Sequence, residues 1–192
     1  MVKGLFHLKD HSQASSYDEK GLPMQLATFT KGLDNVSEWS GRIFMWLIIP
    51  LTLVVVYEVI STKFFNVPHI WAPEVTAYLY GPYFMLVAAY TLLYNAHVRI
   101  DIIYQKFSPR TRGILDCSTY LVFFFPFCII MLQQGYLYTA TSWAMNETSG
   151  SAELHIVPQI KMVIPVTAAL LLIQGLSNII KGFTQVITGR EL

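Results

Sequence analysis

Four apolar stretches, each long enough to cross a lipid bilayer, constrain this chain more than any other feature of its sequence. A hydrocarbon core about 30 Å thick requires about 20 helical residues at 1.5 Å each. The stretches cover residues 43–65, 75–94, 114–137 and 162–180, and the third continues helically toward Trp143. Hydrophobic residues make up 54% of the 192 and charged residues only 13%, against about a quarter charged in a soluble domain. Too little polar surface remains to cover a water-soluble globule. The predicted fold class is therefore an all-α integral membrane protein, a bundle of four transmembrane helices. Each span carries a proline: Pro50, Pro82, Pro126 and Pro165. Neighbouring helices can satisfy the carbonyls that interior prolines free, and Pro165 is expected near a helix start, where proline costs little.

The basic residues give the orientation. Lys3, Lys9, Lys20, Lys31 and Arg42 precede the first span. Arg99, Lys106, Arg110 and Arg112 lie between the second and third, and Lys181 and Arg190 follow the fourth. The other two connections hold one each, Lys63 and Lys161. Eleven of the 13 basic residues thus fall on one side. The positive-inside rule then places both termini and the second loop in the cytoplasm, and loops one and three outside. Trp39, Trp46, Trp71, Tyr78, Tyr104, Tyr136, Tyr138 and Trp143 fall near span ends, as interfacial aromatics do. The net charge of +1 offers no field to recruit nucleic acid.

The region before the first span divides in two. Residues 1–21 form a polar tail expected to be disordered. Residues 22–41 carry an apolar stripe stepping by three or four, Leu22, Leu26, Phe29, Leu33 and Val36, with Lys31, Asp34, Asn35 and Glu38 largely off it. Pro23 suits a first helical turn. This pattern predicts an amphipathic helix lying on phospholipid at the cytoplasmic surface; the plainer alternative is a helix packed on the second loop. The membrane domain is then 42–182, followed by a cytoplasmic tail at 183–192. No short apolar stretch precedes a small-residue cleavage site in the first 40 residues, so the first span is expected to direct insertion.

The centres of the spans are poor in chemistry. The layers at about 50–54, 83–87, 123–127 and 168–172 hold no Asp, Glu, Lys, Arg or His. A protein that moves a solute or proton by itself places polar groups there. Glu58 lies 16 residues beyond Arg42, about 24 Å along a helix, and so falls toward the outer boundary. It is the one fair candidate for coupling in a self-sufficient dimeric transporter. Its plainer role is an interfacial carboxylate, hydrated or paired with Lys63. Gln174 is the deepest strongly polar group, and helix–helix hydrogen bonding is its ordinary use. His7, His11, His69, His97 and His155 all avoid mid-span positions, so paired axial haem ligands are excluded. Cys117 and Cys128 fit no redox or zinc spacing and read as small buried side chains. No HExxH, GxSxG or P-loop pattern occurs, and neither an enzyme nor a cofactor is expected.

Two segments carry a resemblance. Residues 71–103 read WAPEVTAYLYGPYFMLVAAYTLLYNAHVRIDII, with a glutamate at the outer end and His-Val-Arg-Ile-Asp at the cytoplasmic exit. Residues 147–176 read ETSGSAELHIVPQIKMVIPVTAALLLIQGL, with a polar outer loop, Lys161, Ile164-Pro165 and a Leu-Ile-Gln step in the last span. Together with chain length and topology, these segments resemble the small membrane (DctQ-type) subunit of tripartite ATP-independent periplasmic (TRAP) transporters, over about residues 40–182. The N-terminal extension lies outside that likeness. The resemblance implies a non-catalytic subunit of the bacterial inner membrane that scaffolds a large multi-span subunit. A periplasmic solute-binding protein supplies the substrate, an organic acid anion, and sodium drives its import. It also nominates partner contacts: His97, Arg99 and Asp101 where the second span leaves the membrane, and Glu74, Glu147 and Glu153 with Ser149 and Ser151 outside. The plainer reading of these residues is a solvated positive flank and exposed loop polarity.

Overall fold

The computed structural model describes residues 24–94, 107–150 and 154–188. Helix α1 (Met24–Phe44) passes through a 3-10 turn (Met45–Leu47) into α2 (Ile48–Phe64) without an intervening loop. The tightening falls just before Pro50, which has no amide hydrogen and whose ring would press on the carbonyl of Trp46 in a regular helix. The second predicted span is divided at Val87 into α3 (Trp71–Leu86) and α4 (Ala88–Leu93). Helix α5 (Pro109–Thr119) is capped by Ser108, whose hydroxyl accepts from the Thr111 amide, with proline in the first turn. It leads through a π-helical turn (Tyr120–Phe124) into α6 (Phe125–Ala144). There the Phe125 amide reaches back to the Tyr120 carbonyl, widening the turn ahead of Pro126. Helix α7 (Val157–Thr188) is the longest, and it starts early enough that Pro165 is interior to it.

Among the described residues there is no strand. Three helical runs are long and apolar enough to cross a membrane: Leu26–Phe64, Arg110–Ala144 and Val157–Ile187. Because α3 and α4 have 16 and 6 residues, no single helix of the second predicted span reaches that length.

The helices pack as an open row. Helix α2 packs chiefly against α3, α3 and α4 against α7, and α7 against α5 and α6. Helix α1 lies over the groove between α4 and α7. The apolar stretch of α7 is 28% buried and those of the other two runs only 6%, so α7 is the centre. Small residues allow the close approach there. A Cβ at Gly113 would meet Val186 and the Gly182 carbonyl, and one at Gly135 would meet Ile164 and Pro165. Leu53, Phe64, Leu121, Phe123 and Ile130 stand exposed on the outlying helices. Lipid tails are as apolar as these side chains, so their exposure costs nothing in a bilayer.

Candidate partner and membrane interface

The first connection is closed by Glu58. Helix α2 ends at Phe64 with Phe65 as its C-cap, and Asn66 takes a positive φ of 56°, which turns the chain back. The Ser61 hydroxyl donates to the Val67 carbonyl at 2.9 Å. Glu58 Oε1 accepts from the His69 amide at 3.0 Å and from the Thr62 hydroxyl at 3.2 Å, while Oε2 lies 3.0 Å from His69 Nδ1. An ionised carboxylate only accepts, so Nδ1 carries the proton in this contact. The imidazole packs beside Tyr57 and Trp71, with ring centroids 5.4 and 5.6 Å away, and those two rings stack on each other at 6.0 Å. Glu58 is thus paired with His69, on the loop, rather than with Lys63 one turn on. Both of its oxygens are occupied in tying the end of α2 to the start of α3.

The connection between α6 and α7 is built on a similar logic. Asn146 has φ 47°, its amide bonds the Trp143 carbonyl, and the Glu147 amide bonds the Ser142 carbonyl. These two bonds form a Schellman motif, which satisfies carbonyls left open at a helix end. The Glu147 carboxylate accepts from the Ser142 hydroxyl at 2.6 Å and from the Lys161 ammonium. That ammonium stands 4.0 Å over the Tyr138 ring. The Lys161 bond, followed by the Ser142 bond, holds the Glu147 carboxyl below its ordinary range, against a smaller opposing effect of burial. Ser149 is buried, and its hydroxyl accepts from the Leu154 amide at 3.0 Å. Glu74 is half-buried in the first turn of α3, where negative charge suits the helix dipole. Between α3 and the start of α7 lies an open cleft of about 480 Å³ lined by Val75, Tyr78, Leu79, Leu154, His155, Ile156 and Ile160. Its walls are almost wholly apolar, which suits hydrocarbon.

On α1 the buried face is the polar one. Ala27, Thr30, Ser37 and Gly41 are buried, at steps of three to seven along one side, and Asp34 falls among them. Leu26, Phe29 and Val36 of the predicted stripe are exposed, as are Trp39 and Ile43, while Leu33 is half-buried. Asp34 accepts from Gln174 Nε2 at 3.1 Å, the Ser177 hydroxyl at 2.7 Å and the Lys181 ammonium at 2.6 Å. Gln174 Nε2 also donates to Asn178 Oδ1, and Asn178 Nδ2 donates to the Tyr120 hydroxyl at 2.9 Å. Sequence reasoning placed Asp34 on the polar side of α1 and Gln174 in a helix contact, but did not join them.

Leu22, His97, Arg99, Asp101 and Glu153, nominated from the sequence, lie outside the described residues. Of the remaining nominated residues, Glu147 joins Lys161, and Glu74 lies in the first turn of α3.

Residues 51–185 match the family model described as tripartite ATP-independent periplasmic transporters, DctQ component. Neither the curated proteins nor the solved structures yield a match. The matched region takes in every helix from α2 to nearly the end of α7, including the Glu58, Glu147 and Gln174 sites. With apolar helices long enough to span a membrane, an open packing order and a match over most of its length, the chain belongs to the DctQ family, the small membrane component of TRAP transporters.

Proposed function

We propose that this subunit is a non-catalytic scaffold for the large membrane subunit of a sodium-driven importer of an organic acid anion, fed by a periplasmic solute-binding protein. The observation that carries the reading is the open helix row. Its outlying helices expose long apolar faces suited to lipid on one side and a large apolar partner on another. The central layers hold no charged group that could carry a solute or ion. Both oxygens of Glu58, the fair candidate for a self-sufficient carrier, are engaged by loop residues. The sodium coupling and the organic acid rest on the family resemblance alone.

In this reading the protein sits in the bacterial inner membrane with both termini in the cytoplasm, as the sorting of its basic residues suggests. The exposed edge of α1, Leu26, Phe29, Leu33 and Val36, contacts phospholipid of the cytoplasmic leaflet. His97, Arg99 and Asp101 meet the large subunit, and Glu74, Glu147 and Glu153 face the solute-binding protein.

Reconstitution tests the assignment. Proteoliposomes containing this chain alone are expected to show no uptake, with or without a sodium gradient. Adding the large subunit and the binding protein restores uptake, and Glu58→Gln in the small subunit leaves its rate within about twofold, since the glutamine oxygen still accepts from the His69 amide and the side chain serves the loop rather than a transport path. Uptake by the chain alone that Glu58→Gln abolishes would establish the self-sufficient carrier instead.

A further inference from the structure

The seam between α1 and α7 has a composition that apolar packing does not explain. Three donors of α7, Gln174, Ser177 and Lys181, follow at steps of three and four, so they form one row over two turns. All three converge on the carboxylate of a single residue, Asp34, at 2.6–3.1 Å. The Asp34 and Lys181 side chains keep only 23% and 29% of their exposure, so the charge pair is largely shielded from water. The rest of the α1 face turned toward the bundle is small: Ala27, Thr30, Ser37 and Gly41. A Cβ at Gly41 would strike the Tyr90 side chain of α4, which packs directly on the α1 backbone there.

In a membrane, burying apolar surface gives little drive for helices to associate, because lipid already solvates it. Directional bonds and close packing must then set where α1 sits. We propose that Asp34 is a positioning residue, a clasp that fixes α1 on the last span and so presents the exposed edge of Leu26, Phe29, Val36, Trp39 and Ile43 at a set angle to the phospholipid surface. This deepens the reading of α1 as a contact surface and rests on it. The clasp extends to a third helix, because Gln174 bonds Asn178 and Asn178 bonds Tyr120 on the π-helical turn. Movement of α1 is thereby linked to the start of the third span as well as to α7.

The test is hydrogen exchange of the full chain in lipid nanodiscs, read by mass spectrometry. In Asp34→Ala the amides of residues 28–40 are expected to exchange at least about tenfold faster, the effect of losing one charge-assisted hydrogen bond. Amides in α6 and the first half of α7 keep their wild-type rates. The double variant Gln174→Leu/Ser177→Ala attacks the clasp from the other helix and accelerates the same amides. Combined with Asp34→Ala it adds less than the product of the two effects, because both remove one shared contact. Asp34→Asn, which still accepts from Gln174 and Ser177, falls between wild type and Asp34→Ala. Unchanged exchange in Asp34→Ala, acceleration spread evenly over all helices, or fully multiplicative effects would each overturn the clasp. Broadening of Phe29 in the wild-type chain by lipid-embedded paramagnetic probes is scored separately. Its absence would remove the lipid-contact reading and leave the exchange result to judge the clasp alone.

Discussion

Glu58, Glu147 and Asp34 are three carboxylates with three different environments, and each is decided by what donates to it. Glu58 is satisfied by a loop amide and an imidazole. Glu147 is satisfied by Ser142 and Lys161 across the connection between α6 and α7. Because its folded value is lowered, the Glu147 tether contributes at every pH above the ordinary carboxylate range and is lost as pH falls through the lowered value. Acid titration followed by Trp143 fluorescence should therefore show a step below that ordinary range, and Glu147→Gln should remove the step. A step unchanged in Glu147→Gln would assign it to another group. Glu147 and Lys161 were both noted in the sequence, but nothing in a separation of 14 residues across a loop announces a pair. Asp34 was harder still. Its partners lie 140 to 147 positions away, and it read as one of several polar residues on the outward side of an amphipathic helix.

At the scale of elements, the apolar stretches were legible because bilayer thickness sets a length that no local detail alters. Their helical defects were legible only in part. Pro50 and Pro126 each follow a local change of helix type, as the missing amide and the crowded carbonyl require. The division at Val87 has no such marker in the sequence. Which face of each helix packs could not be read, since apolar periodicity marks the core only where the alternative is water. Helix α1 shows the consequence: its apolar stripe is the exposed side and its small polar side is buried. Lipid-embedded paramagnetic probes should broaden resonances of Phe29 strongly and those of Ala27 weakly; equal broadening would contradict the placement of that edge against the leaflet. Close packing is testable by adding one methyl group. Gly113→Ala places a Cβ 2.9 Å from the Gly182 carbonyl, and overpacking of that kind costs about 1–3 kcal/mol. Gly32→Ala meets nothing within 4 Å, and replacing an exposed helical glycine stabilises by about 0.5–1 kcal/mol. Thermal unfolding in detergent should move the two midpoints in opposite directions.

The whole molecule is a row of helices with α7 at its centre and α1 laid against α4 and α7. A bundle was the expectation from four spans, but span count does not specify which helices touch. The open order leaves most apolar side chains of the outlying helices exposed. For a membrane protein that is compatible with lipid on every face, and it is also what a subunit completed by a larger partner would show. The match to the DctQ family over residues 51–185 selects between transport and unrelated membrane functions. The large partner is the central claim built on it. Affinity purification of the chain from its native membrane in mild detergent, with mass spectrometry of what remains bound, tests that claim most directly. The account predicts a large multi-span membrane protein in stoichiometric amount. Recovery of the chain alone, or only as a homodimer, would contradict it.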